Sequence, residues 1–77
     1  MAPTGRTSRL QKVIGENVTA LRNAAGISDE KLAETCGYDR SYLSSIENGK
    51  RNITIAALEA LGDALGVDTI ELLRRRS

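Results

Sequence analysis

The segment 29-DEKLAETCGYDRSYLSSIEN-48 decides how this chain is read. Its apolar residues fall into two short sets, Leu32, Ala33 and Cys36, then Leu43 and Ile46, each spaced as on one face of a helix. Ser28 precedes the first set as an N-cap, and Asp29 and Glu30 fall in a first turn where the macrodipole favours acids. Gly37 marks the end of that helix, and Asp39 is placed to cap the next. Ala33 is small where two helices must approach, Gly37 suits the turn between them, and Leu43 anchors the second helix. The unit reads as a helix-turn-helix.

What then faces outward from its second helix is Arg40, Ser41, Ser44 and Ser45, with Tyr42 near the edge, all able to donate hydrogen bonds. Small hydroxyl side chains let a helix enter a major groove about 12 Å wide, where one Arg can take guanine O6 and N7 in a bidentate pair. Arg40, near the helix start, is the best base reader. The alternative for Arg40 is a surface ion pair with Asp39 or Glu47. The following loop, Asn48, Gly49, Lys50, Arg51 and Asn52, would lie along the sugar-phosphate backbone, giving affinity without sequence choice. Ser28, Tyr42 and Thr54, with the amides opening the next helix, complete the expected backbone contacts. Glu47 is expected to tie its helix to this loop through an internal ion pair or hydrogen bond.

Upstream, Leu10, Val13, Ile14, Val18, Leu21 and Ala25 repeat at helical spacing and Gly26 supplies a stop, so a first helix begins near Arg9. Downstream, Thr54 caps a fourth helix with the stripe Leu58, Leu61 and Leu65, closed by Gly66. Asp68 followed three residues later by Glu71 resembles a capping box opening a fifth helix with Ile70, Leu72 and Leu73. No segment alternates with period two for long enough to form a strand. The expectation is an all-α, compact five-helix domain over residues 9–73, with a flexible arm at 1–8 and a basic tail at 74–77.

Seventy-seven residues allow one small domain, and a chain of this size buries only about 60% of its unfolded surface, which makes pairing with a second copy attractive. Val67, Ile70, Leu72 and Leu73 are more apolar surface than one small fold hides, and they are the expected isologous dimer patch. With no Phe or Trp, the core must be built from Leu, Ile, Val and Ala. The single Cys36 makes no internal disulfide and reads as a small core residue, and a chain without His offers no plausible metal set. No apolar run approaches the ~20 residues of a membrane span, and the expectation is a cytoplasmic protein. There is no His, no glycine-rich phosphate loop and no metal-ligand cluster, and the one nucleophile candidate with good chemistry, Cys36, sits where burial would keep it a thiol, so neither enzyme activity, cofactor nor small-molecule ligand is expected.

The net charge of +1 hides an uneven distribution. Arg6, Arg9 and Lys12 open the chain, Arg40, Lys50 and Arg51 face a single acid, Glu47, across residues 40–58, and Arg74, Arg75 and Arg76 close it. Acids dominate between. A local basic stripe, rather than overall charge, is what an electrostatic footprint on DNA requires. The terminal arginines read as solvated charges that can still steer DNA.

The run 28-SDEKLAETCGYDRSYLSSIENGKRNITIAALEALGDALGV-67 resembles the lambda-repressor-like, or XRE, family of helix-turn-helix DNA-binding domains over about two thirds of the chain. Within it, DRSYLSSIE followed by RNITIAALE is similar to the controller proteins of restriction-modification systems. The resemblance implies a homodimeric transcription regulator on a near-palindromic stretch of double-stranded DNA, repressing by covering a promoter or activating by offering a surface to RNA polymerase. One position departs from the pattern. Family members often carry Gln at the start of the second helix, where its amide can touch a phosphate or support a base reader, and here Asp29 stands there. A carboxylate cannot donate, so Asp29 either caps its own helix and stays off DNA or accepts a hydrogen bond from a neighbouring basic side chain or a cytosine amine. Two rivals remain: a protein-interaction module that kept the fold and lost DNA affinity, and the antitoxin partner of a toxin.

Overall fold

A computed structural model describes residues 9–75 of the chain. The elements run α1 (Arg9–Ala25), α2 (Asp29–Cys36), α3 (Arg40–Glu47) and α4 (Ile55–Leu65), followed by a 3-10 helix at Thr69–Leu73. The arm at 1–8 with Arg6, and Arg76 in the tail, lie outside the described residues.

Capping sets most of these boundaries. The Ser28 hydroxyl accepts from Lys31 N–H at 3.0 Å, and Thr54 Oγ1 accepts from Ala57 N–H at 3.0 Å, each satisfying an amide that the first helical turn leaves without a partner. α2 closes on Gly37 at φ 76°, with Gly37 N–H donating to Glu34 O and Tyr38 N–H to Ala33 O. That paired pattern requires a left-handed residue, which glycine adopts without strain. Asp39 holds the N-cap position of α3 in extended backbone but makes no side-chain cap bond, unlike the expectation for it.

The core joins Ile14 and Val18 of α1, Leu32 and Ala33 of α2, Leu43 and Ile46 of α3, and Leu58 and Leu61 of α4 around Leu72. Each of these side chains removes apolar area from water, on the order of 2 kcal/mol for a fully buried Leu or Ile. α1 crosses α3 closely enough that a Cβ on Gly15 would lie 2.6 Å from the carbonyl oxygens of Ile46 and Glu47. A glycine in mid-helix is therefore what lets α3 seat on α1. Leu10, placed by its spacing on the inner face, is 52% exposed instead, and Ala25 is also exposed. The loop that reaches the first turn of α1 packs Gly49 on Lys12, and Gln11 Nε2 donates to Asn52 Oδ1, so that turn is covered on another side.

The last element corrects the expected fifth α-helix: it is a five-residue 3-10 turn. Asp68 caps it by accepting from Ile70 N–H at 3.1 Å, whereas Glu71 does not complete a capping box and instead pairs with Arg74. The segment ends in extended backbone at Arg74, and its last carbonyls are bound from α1. Asn17, fully buried on α1, donates both amide hydrogens to this segment, to Leu72 O at 2.8 Å and Arg74 O at 2.7 Å. The same clamp drives Leu72 fully into the core, which removes it from the expected dimer patch. Ile70 stays 62% exposed, with Val67 and Leu73 half-buried beside it in sequence.

Candidate nucleic-acid interface

α3 offers its outer face from a rigid base. Leu43 and Ile46 are buried, and Glu47 at its C-terminal end is bound to α1. Arg22 Nε donates to Glu47 Oε2 at 2.8 Å and Nη2 to Oε1 at 3.3 Å, while Thr19 Oγ1 donates to Oε1 at 3.1 Å. The hydrogen bonds that Arg22 donates to Glu47, with the carboxylate's charge and a weaker attraction from Asp29, outweigh partial burial and raise the Arg22 pKa above its ordinary value. Glu47 thus ties α3 to α1 rather than to the following loop.

Above that base, Arg40, Ser41 and Ser44 are exposed along α3. Arg40 pairs with neither Asp39 nor Glu47: its Nε lies 3.6 Å from Asp29 Oδ2, joining the first residues of α2 and α3. Asp29 therefore takes the neighbouring basic partner rather than lying alone. Ser44 Oγ accepts from Asn48 Nδ2 at 3.5 Å, linking the helix to the exposed loop that carries Lys50, Arg51 and Asn52.

Ser45 departs from its expected place among the base readers. It is half-buried, and its hydroxyl donates to Tyr42 O at 2.7 Å while accepting from Arg51 Nε at 3.1 Å. Both the geometry and the burial turn Ser45 toward holding Arg51. The Arg51 guanidinium also stands 4.9 Å from the Tyr42 ring centre, and Tyr42 in turn packs at 4.8 Å, tilted 58°, on Tyr38. A cation over a ring at that separation is attracted by the ring quadrupole by about 0.5–1 kcal/mol at an exposed site. The result is an ordered row, Tyr38, Tyr42 and Arg51, alongside the serine face. Tyr38 carried no functional expectation, and its only sequence signal was a second tyrosine four residues before Tyr42.

Ser28 and Thr54 serve first as helix caps; their hydroxyl oxygens accept from backbone amides and their hydrogens remain able to donate outward. Ile55, next to Thr54, is 73% exposed and was not anticipated. Cys36 is half-buried with its Sγ 3.7 Å from Ala60 O, and burial pushes its thiol pKa up. That environment disfavours the thiolate on which cysteine nucleophilicity depends. Among the described residues, no helix is long and apolar enough to cross a membrane.

A family profile described as Helix-turn-helix matches residues 18–72, more than half of the chain. An uncharacterised HTH-type transcriptional regulator, y4dJ, from Sinorhizobium fredii is 39% identical over 64 residues, covering 83% of either chain. The control protein C.SmaI of Serratia marcescens is 37% identical over 67 residues, 87% of this chain and 80% of that one. The crystal structure of the restriction-modification controller protein C.AhdI from Aeromonas hydrophila superposes with a TM-score of 0.78 at 37% identity, covering 80% of this chain and 94% of the other.

Proposed function

The chain belongs to the helix-turn-helix family matched over residues 18–72, and from that premise we propose that it is a sequence-specific DNA-binding transcriptional regulator. It works as a homodimer on a near-palindromic operator, in the manner of the restriction-modification controllers it is similar to. The observation that carries the reading is the surface of α3. An exposed Arg at the helix start, small exposed serines behind it and an ordered basic loop beside it match the dimensions and chemistry of a major groove and its flanking phosphates.

Arg40, with Ser41 and Ser44, reads bases; Tyr42, Asn48, Lys50, Arg51, Asn52, Ser28 and Thr54 contact the backbone. Ser45 acts through Arg51. Two copies with recognition helices about 34 Å apart would read successive major-groove faces. Ile70, flanked by Val67 and Leu73, is the patch through which they pair, continuous with the adjoining part of α4. No catalytic step belongs to this reading, and RNA polymerase is a partner only where the bound dimer activates rather than occludes a promoter.

The test is fluorescence anisotropy with a random duplex pool and duplexes selected from it, across a salt series. Selected duplexes bind far more tightly than the pool, Arg40→Ala relaxes base preference, and Lys50→Ala weakens every duplex alike while flattening the salt slope by up to about one unit. If no duplex outcompetes the pool at physiological salt, the fold serves instead as an interaction module.

A further inference from the structure

Arg40 is anchored from one side only. Its Nε faces Asp29 Oδ2 at 3.6 Å, and of the two side chains the carboxylate is the more enclosed, 35% exposed against 67% for the arginine. Asp29 stands in the first turn of α2, where the macrodipole favours its charge, so it is the fixed member of the pair and the guanidinium the projecting one. A guanidinium is planar, and a contact at its Nε edge leaves the opposite edge, with both Nη groups, open for a second partner. That open edge presents two parallel donors, of the kind that take guanine O6 and N7 in a bidentate pair.

The same contact acts on the electrostatic footprint. Affinity for DNA of any sequence grows with the number of cations that neutralise phosphates. A carboxylate beside Arg40 offsets its charge locally, and repels a phosphate that approaches that corner of α3. Arg40 thus carries an acid partner at 3.6 Å, while the loop with Lys50 and Arg51 carries none of this kind among the described residues.

We propose that Asp29 is a positioning residue that sets specificity: its carboxylate holds Arg40 edge-on toward the bases and keeps that arginine from binding phosphate indiscriminately. This rests on Arg40 being a base reader. In its absence Arg40 swings more freely, gains affinity for any duplex and loses preference for guanine.

The experiment compares wild type, Asp29→Asn, Asp29→Glu, Arg40→Ala and the Asp29→Asn/Arg40→Ala double variant. Each is titrated against a selected duplex, the same duplex with the read guanine replaced, and an unrelated duplex, across salt. Asp29→Asn is expected to bind the unrelated duplex about 3- to 10-fold more tightly, with a salt slope steeper by up to about one unit. Its preference for the guanine falls roughly 10-fold, of the order of one bidentate contact loosened. Asp29→Glu restores most of that preference, and in the Arg40→Ala background the Asp29→Asn change no longer alters it. An Asp29→Asn protein with undiminished guanine preference overturns the proposal, as does an equal effect of Asp29→Asn with and without Arg40. A wild type that prefers no duplex, or an Arg40→Ala protein that keeps its preference, removes the base-reader premise itself, and is told apart because Asp29→Asn is then not the variant that fails.

Discussion

Arg22 and Glu47, on α1 and α3, meet in a two-pronged ion pair with side chains only 15% and 13% exposed, the closest contact being 2.8 Å from Nε to Oε2. Arg22 also donates from Nη1 to Ile27 O at 3.0 Å in the turn before α2. One guanidinium thereby fixes the start of the helix-turn-helix and the end of its recognition helix to the same support. Parallel donors on a carboxylate give this pair directional as well as coulombic strength.

Breaking it from one side strands a mostly buried charge. Arg22→Ala is expected to lower unfolding free energy by about 3 kcal/mol, within the range for removing one partner of an enclosed pair. Glu47→Gln, which keeps one acceptor for Thr19 or Arg22, should lose less. Urea denaturation of the two singles and the double gives the coupling, and an additive double would mean the pair contributes no interaction of its own.

Gly15 makes a second demand on the same interface. Alanine in an exposed mid-helix position is favoured over glycine by about 1 kcal/mol. Here its methyl would meet two backbone oxygens at 2.6 Å, which no side-chain rotation relieves. Gly15→Ala is therefore expected to destabilise by about 1–3 kcal/mol, the range for overpacking. A melting temperature at or above that of the wild type would show α1 and α3 able to part without loss.

These contacts mark where the sequence stops being legible. Ser28, Thr54, Gly37 and Gly66 announce helix ends because capping is a matter between residues a few positions apart, and α2 and α4 begin and end where those signals stand. The exposure of Arg40, Ser41 and Ser44 was readable because a helical period fixes what must point away from Leu43 and Ile46, whereas the half-burial of Ser45 was not. The pairings that make the site were not. Arg22 with Glu47, Asp29 with Arg40 and Asn17 with Leu72 O join residues from different elements, and a helical projection says which face is apolar but not which neighbour covers it. Leu10 and Leu72 exchanged expected places for that reason: each sits on an apolar stripe, but only Leu72 has a buried polar clamp drawing its backbone inward.

The Asn17 clamp has its own consequence. Asn17→Leu keeps the approximate volume and removes both donors, leaving the carbonyls of Leu72 and Arg74 without the amide. Leaving a buried acceptor unsatisfied costs about 1–3 kcal/mol, so a loss of about 2–4 kcal/mol is expected by urea denaturation. Hydrogen exchange should rise most in residues 69–74, the segment the clamp holds, and uniform exchange across all helices would assign Asn17 a general core role instead.

Cys36 supplies a pH-dependent reading. Burial raises its thiol pKa in the folded chain above the ordinary value. The folded state then holds the proton more tightly than the unfolded one, so the contribution to stability is complete below the ordinary thiol pKa and fades as pH rises through the raised one. Alkylation by iodoacetamide at pH 8 is expected to be several-fold slower in the native protein than in urea, because the thiolate reacts and the thiol does not. Equal rates would place Cys36 in an open, thiolate-permitting site.

Ile70 carries the last and most consequential expectation. It is 62% exposed on a 3-10 turn whose neighbour Leu72 is locked in the core, so its side chain points outward from a fixed base. Burying such a residue against its copy across a two-fold axis removes apolar surface twice, and a carboxylate there brings two like charges together. Ile70→Asp should leave the melting of the isolated fold nearly unchanged, because surface substitutions usually shift stability by less than about 0.5 kcal/mol. For the proposed homodimer, sedimentation velocity should show the variant as a monomer at concentrations where the wild type is expected to pair. On DNA the variant keeps its affinity for a half-site but loses about 100-fold or more on the full operator, since the second recognition helix no longer arrives at high effective concentration. A variant that still sediments as the wild type does would place the two-fold contact elsewhere on the surface, while a monomeric variant with undiminished full-operator affinity would mean that pairing is not what assembles the complex.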